Sequence, residues 1–419
     1  MPPALSPVPL AGGVLLLLSA LLGPARAAAP VPAPGWKLTL VAEAPRVRHP
    51  SVVVAAPDGR IFVAEDPMDI RTPRADAAEG RILCLHPDGR TTVFAERLHA
   101  VFGLQYLEGR VYVLHNPFFS VFEDDHGVGR NRRELIRQTH PNPWALAWND
   151  HVPANFKLAM DGFFYLAVGD KGLRGARGTD GRTVDLPGGG LVRIRPDGTG
   201  LEVFSTGVRN ILDVALDAED EIFTFDNTDE HDWMGRVTHM VDGGSYGYPH
   251  AFVPRQPHTL WCFADVGAGA ACGALVYTGD ALPAEFDGNL ILSDFGKRQV
   301  LRGRLHRHGG SFQLVRPDGT RVPGVAGFAD FQPLFQETPE DFRPVGLALD
   351  ADGRSLLLCD WQHRDSKDPQ ADVGRLWRLT WTGPDRARPR PEWWMAAALG
   401  GTPAPGLPPL LEALRHGPR

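Results

Sequence analysis

The chain has 419 residues, 43% hydrophobic and 22% charged, which is ample for a large core. Its 47 glycines and 38 prolines fit many short strands joined by turns. A net charge of −7 argues against a nucleic-acid partner, because phosphate binding needs a basic face, and the run Arg130, Arg132, Arg133 reads as a solvated turn.

Residues 1–29 read as a secretory signal. The apolar stretch Leu10–Leu22 precedes Ala25-Arg26-Ala27, a small-x-small cleavage pattern, and is shorter than a membrane span of about 20 residues. The mature protein is therefore expected to be periplasmic or secreted, with membrane contact only if this segment stays uncleaved. Residues 30–48 lead in with a strand, WKLTLVAEA.

A repeated phrase follows: an apolar run, a Gly- or Asp-containing turn, then an apolar-aromatic run ending near an acid. It occurs at Ser51–Asp66, Phe102–Asn116, Asn155–Asp170 and Ile211–Asn227, more loosely at Ala284–Asp294, and again at Pro344–Asp360. Six copies predict an all-β fold, a six-bladed β-propeller over 30–381. Gly80–Phe94, Gly189–Phe204 and Val300–Val315 read as the outer hairpins of blades, and Gly374–Trp381 as a single closing strand.

Two inserts, Lys171–Gly189 and Gly243–Cys272, break the rhythm, and long loops on a rigid scaffold carry function. Residues 382–419 read as a Pro-rich linker and a short helical tail, LPPLLEALRHGPR. Four cysteines, Cys84, Cys262, Cys272 and Cys359, admit two bridges (262–272 and 84–359) or buried thiols. No Cys-x-x-Cys-His haem motif occurs.

Chemistry-bearing residues gather at the ends of the repeats. Asp150-His151 precedes the third, Asp170 closes it, and Arg209-Asn210 opens the fourth. In a propeller such positions face one rim. A His beside a carboxylate suits base catalysis, and an Arg grips carboxylates in two-pronged fashion. The other reading makes Asp150 and Arg209 braces of turns. The oxygen-rich run Asp226–Asp232 suits a hard cation such as calcium, or is an exposed acidic loop. Glu123–Gly129 reads as a plain turn. The pairs His250/His258 and His306/His308 lack zinc spacing and read as surface residues.

Taken together, NDHVPANFKLAMDGFFYLAVGDKG (149–172), LEVFSTGVRN (201–210), FDNTDE (225–230), VDGGSYGYP (241–249), FRPVGLALDADG (342–353) and GRLWRLT (374–380) resemble the glucose/sorbosone dehydrogenase family of six-bladed propellers. Known members use pyrroloquinoline quinone (PQQ). The similarity runs over about 36–381 and is greatest to the membrane-bound dehydrogenase branch of planctomycete-type bacteria. It implies His151 as general base with Asp150 as its neighbour, and hydride transfer from a sugar or polyol to the cofactor. It implies Asp170, Arg209, Asn210, Lys297 and Arg343 at the cofactor. It places Glu230 and His231 where backbone carbonyls hold calcium; the soluble glucose enzymes carry Gly-Pro there. Electrons would pass to a separate acceptor such as a cytochrome or quinone. A calcium-dependent lactonase-like hydrolase and a non-catalytic carbohydrate-binding propeller, using aromatics such as Trp148, Trp233, Tyr246, Tyr248 and Trp261, remain alternatives.

Overall fold

The computed structural model describes residues 28–67, 78–138, 151–228, 234–249, 258–362, 372–384, 386, 392–401 and 406–408. Asp150, Glu230, His231, Trp148 and Trp233 lie outside them, as does the N-terminal signal segment through residue 27.

Six antiparallel sheets form the six blades of a β-propeller. Five of the repeated phrases supply the two inner strands of a blade; the fifth, Ala284–Asp294, supplies only the second strand, Asn289–Asp294, and the innermost strand lies upstream of it at Ala271–Val276. In the first blade the order outward is Pro50–Ala55, Ile61–Glu65, Gly80–Leu85 and Thr91–Leu98. The inner strands of the later blades are Val101–Leu107, Pro153–Leu158, Ile211–Leu216, Ala271–Val276 and Pro344–Leu349. The sixth blade takes its outermost strand, Trp36–Glu43, from the start of the described chain, paired with Arg375–Trp381. This pairing closes the ring, and the two signatures at either end of the sequence are its two halves.

The second strands are buried on both faces because each blade is sandwiched between neighbours. Ile61–Glu65, Phe164–Val168, Ile222–Asp226 and Ser355–Asp360 are buried throughout. Outer strands such as Thr91–Leu98 alternate with solvent. Turns follow the Asp-Gly chemistry: Asp58 and Asp318 each accept the backbone N–H two residues on, at 3.2 and 2.8 Å. The glycine between takes a left-handed φ of 83° at Gly59 and 87° at Gly319.

Each of the six interfaces between neighbouring blades holds its own hydrophobic cluster. Between the second and third blades, Phe119, Phe156 and Phe164 meet edge to face, with centroids 4.8 to 5.8 Å apart. Burying one such ring stabilises by roughly 1.5–3 kcal/mol.

This alternation settles the cysteines. None of the four is joined in a disulfide, and all are buried. Cys84 faces the second blade among Phe62 and Val111, whereas its neighbours Leu83 and Leu85 face the sixth. Cys359 lies in that other cluster, so the first blade stands between the two sulfurs. Cys272 also packs there, while Phe263 beside Cys262 packs between the fourth and fifth blades.

Three further features depart from the sequence reading. Residues Leu173–Gly178 and Thr183–Leu186, in the first insert, form a hairpin on the outer edge of the second blade rather than a loop. The Arg130–Arg133 run lies on the strand Gly129–Gln138 rather than in a turn, since it pairs with Phe118–Asp124. The tail helix described is Glu392–Ala398, upstream of the expected stretch, of which only 407–408 are described. Among the described residues no helix is long and apolar enough to cross a membrane.

Candidate active site

One backbone hydrogen bond recurs at the same rim of every blade. In five blades the residue after the second strand's last position donates its N–H to a residue leading into the inner strand, and in the third Lys171, three residues past Val168, does so. The pairs are Asp66 to His49, Asn116 to His99, Lys171 to His151, Asn227 to Asn210, Phe295 to Ala270 and Trp361 to Arg343. Strand pairing equates Glu65, His115, Val168, Asp226, Asp294 and Asp360, the last residues of the second strands, and Asp170 lies two residues beyond Val168. The sequence candidates His151, Asn210 and Arg343 accept the recurring bond, with Arg209 one residue before Asn210 and Lys297 three residues after Asp294.

Four of the six turn back on the backbone. Glu65 accepts the N–H of Arg48 at 2.8 Å, and Asp226 accepts those of Arg209 and Asn210 at 2.9 and 2.7 Å. Asp294 accepts from Ala270 and Lys297 at 3.0 and 2.8 Å, and Asp360 from Arg343 at 2.9 Å. All four are buried. Their role is to hold the chain's entry into the blade. Burial pushes the carboxyls of Asp294 and Asp360 up.

Asp170 departs from this pattern. Its side chain is 28% exposed, and its Oδ1 lies 2.6 Å from His151 Nδ1, with His151 17% exposed. Burial acts to raise the Asp170 carboxyl. The hydrogen bond and charge of His151, the charge of Arg209 and a hydrogen bond from Tyr248 outweigh it and hold the group below its usual range. An ionised carboxylate only accepts, so His151 donates from Nδ1 and its neutral ring is basic at Nε2. His151 has a left-handed φ of 54°, but His49, which accepts the same recurring bond in the first blade, has 43°, so the conformation belongs to the fold. Gly169 has no room for a side chain: a Cβ there would stand 2.6 Å from the backbone carbonyl of His151.

The cationic candidates share one property. Arg209 Nη1 donates to the Thr228 carbonyl at 2.6 Å. Lys297 Nζ donates to the Ala268 carbonyl and lies 5.3 Å from the Phe328 ring. Arg343 Nη1 donates to the carbonyls of Glu340 and Phe342, with its guanidinium 5.3 Å from the Phe295 ring. None of the three forms a salt bridge with a carboxylate among the described residues. Burial, with the nearby Arg298, pushes Arg343 down. Among the described residues the buried Oδ1 of Asn210 has no hydrogen-bond partner. A rim whose cations donate hydrogen bonds to carbonyls rather than carboxylates, with one orphaned amide oxygen, fits a ligand carrying several carboxylates.

Tyr248, offered by the sequence as a stacking aromatic, instead engages Asp170 through its hydroxyl. Arg298 was missed, with only its nearness to Lys297 as a signal. Among the described residues no group of three or more His, Cys, Asp or Glu side chains is arranged to hold a metal ion. A cavity of about 790 Å³ opens at the opposite mouth of the axis, lined by the far ends of the inner strands, including Val54, Leu158 and Leu349. It touches none of the candidate residues.

Fold and rim define a six-bladed β-propeller with a one-sided polar site over the third to sixth blades. The chain belongs to the family described as Domain of unknown function (DUF7133), which matches residues 31–380. No protein of curated function matches its sequence. Among solved structures it is similar to a protein from Thermus thermophilus described as an oxidoreductase (glucose dehydrogenase). That pair is 17% identical with a TM-score of 0.58, over 82% of this chain and 99% of that one. It is also similar to the PQQ-bound aldose sugar dehydrogenase of Streptomyces coelicolor, 17% identical with a TM-score of 0.55, over 84% and 99%. A third is the holo PQQ domain of pyranose dehydrogenase from Coprinopsis cinerea, 13% identical with a TM-score of 0.56, over 85% and 97%. At these identities the likeness establishes a shared fold.

Proposed function

We propose that this chain is a PQQ-dependent dehydrogenase that oxidises a sugar or related polyol and passes the electrons to a separate carrier. The observation that carries this reading is the 2.6 Å His151–Asp170 pair on a rim ringed by Arg209, Lys297 and Arg343. Support comes as well from the propellers of the same fold that bind PQQ.

In this reading His151 Nε2 takes the proton of the substrate hydroxyl, while Asp170 fixes the tautomer and supports the imidazolium that forms. Such base assistance contributes about 10²–10⁴-fold. Arg209, Lys297 and Arg343 hold the cofactor's carboxylates, and Asn210 Oδ1 accepts from its ring. When bound, the quinone supplies the acceptor for the electron pair of the substrate C–H bond. Glu230 and His231 are proposed to offer carbonyl oxygens to a calcium ion, and Asp150 to adjoin His151. The protein is proposed to work outside the cytoplasm after loss of residues 1–29.

The experiment is an assay of the purified protein with PQQ, calcium and an artificial electron acceptor against a panel of aldoses and polyols. Turnover on one class supports the reading; none on any, with no quinone retained after dialysis, overturns it. A second reading, a non-catalytic carbohydrate-binding propeller, is favoured by Trp261, which is 39% exposed with Arg236 4.5 Å from its ring. Sugar affinity with no turnover, untouched by His151→Ala, would establish that reading instead.

A further inference from the structure

Between the third and fourth strands of the fourth blade, Arg236–Met240 and Ala264–Asp265, the chain leaves that blade. Residues 241–248 run instead beside Glu202–Val208, the outermost strand of the third blade. Gly243 donates its N–H to the Phe204 carbonyl at 2.8 Å, and the Gly244 carbonyl accepts from Thr206 at 2.9 Å. Tyr246 donates to Thr206 at 3.0 Å and Tyr248 to Gly207 at 2.8 Å. Ser245 pairs with Thr206 in the parallel sense, so the segment climbs with that strand toward the candidate rim.

The excursion is firmly held. Tyr246 is 3% exposed; its Oη donates to the His239 carbonyl at 2.8 Å and accepts the Val241 N–H at 3.0 Å. Gly207 has a left-handed φ of 84°, and a Cβ there would stand 2.6 Å from the Gly247 nitrogen, so the two backbones touch. What arrives at the rim is Tyr248, half-buried, with its hydroxyl donating to Asp170. Asp170 therefore serves two donors, the Tyr248 hydroxyl and His151 Nδ1 at 2.6 Å, and also feels the charge of Arg209. A carboxylate turned wholly on one imidazole holds that ring in its charged form, which is useless as a base. A second donor weakens this pull and leaves the carboxylate ionised and aimed.

We propose that Tyr248 is a positioning residue of the site: carried over from the fourth blade, its hydroxyl shares the Asp170 carboxylate with His151 and so keeps His151 ready to accept a proton. This deepens, and rests on, the reading of His151 as the base. Tyr248→Phe isolates the role, because it keeps the ring and the backbone bond to Gly207 and deletes only the donor.

The test is a proton NMR titration of the full chain, labelled at histidine Cε1, with the His151 signal assigned by its loss in His151→Ala. It needs neither quinone nor substrate. In Tyr248→Phe, His151 is expected to take up its proton at a pH about 0.5 higher than in wild type. Tyr246→Phe, which strips the anchor of the same segment, should lower the denaturant midpoint yet leave the His151 titration within about 0.2 of wild type. An unchanged or lowered titration in Tyr248→Phe, or the same rise in Tyr246→Phe, would overturn the proposal. A raised His151 titration in Tyr248→Phe alongside a wild type that oxidises no sugar would uphold the role of Tyr248 and count against the dehydrogenase reading alone.

Discussion

Asp170 lies 2.6 Å from His151, while Asp226, at the same rim of the next blade, accepts the backbone N–H groups of Arg209 and Asn210 at 2.9 and 2.7 Å. A rim acid is a structural clasp in one blade and a side-chain partner in the one before it. This contrast separates the acids that build the propeller from the acid that is available for chemistry.

Stability should divide along that line. Asp360→Ala removes the nearer carboxylate partner of Arg375, whose guanidinium lies 2.7 Å away and 4% exposed, leaving Asp341 at 3.6 Å, and also removes the bond from Trp377 at 3.1 Å. Breaking up such a buried charge pair costs up to about 3–5 kcal/mol. Asp170→Ala removes a partly exposed carboxylate with no backbone clasp to lose. Denaturant midpoints should therefore fall steeply for Asp360→Ala and hardly move for Asp170→Ala.

Catalysis should divide the other way. Asp170→Asn keeps the shape but withdraws the charge that supports a protonated His151. In the quinone-loaded protein kcat should fall by about 10²-fold or more with little change in KM. Steady-state kinetics on the best sugar substrate checks this, and an unchanged kcat would count against His151 as the base.

Gly169 offers a steric route to the same pair. In Gly169→Ala the new Cβ would meet the His151 carbonyl carbon and oxygen at 2.6 Å, so one backbone must shift. Overpacking of this kind costs about 1–3 kcal/mol. A lowered melting temperature together with lost turnover is expected, and wild-type values for both would show that the clash relaxes elsewhere.

His115 sets an acid limit on the fold. Burial first, then the charges of Arg132 and His99, push it down to about 3 from 6.5. Between those values the unfolded chain binds a proton that the folded chain refuses, so stability is full above about 6.5 and falls as pH drops. The slope is about 1.4 kcal/mol per pH unit for one proton. Urea midpoints measured from pH 7 to pH 5 should show it, and His115→Gln should flatten it.

The ring was legible because its signal is local. An apolar run and a Gly- or Asp-containing turn recur where strands are buried on both faces, and Ile61–Glu65 and Ser355–Asp360 fold as their phrases predict. What each terminal acid does was not legible. Asp170 and Asp226 end similar phrases, and only the chain folding back to place His151 or Arg209 beside them decides between side chain and backbone. The Leu173–Leu186 hairpin was hidden for a related reason: its charged, glycine-rich sequence forms strands only because the exposed edge of Gly129–Gln138 is there to pair with. The cationic rim was read from a family resemblance, and its distinguishing feature, cations facing carbonyls, exists only in three dimensions.

The central claim is that the rim holds a polycarboxylated quinone beside a basic His151. It is tested most directly by titrating PQQ into the purified protein, with and without calcium, and following quinone absorbance and sugar turnover in wild type and His151→Ala. The account predicts stoichiometric, calcium-strengthened quinone binding in both proteins, with turnover lost only in the variant. No quinone binding by the wild type under either condition, or full turnover by His151→Ala, would contradict it.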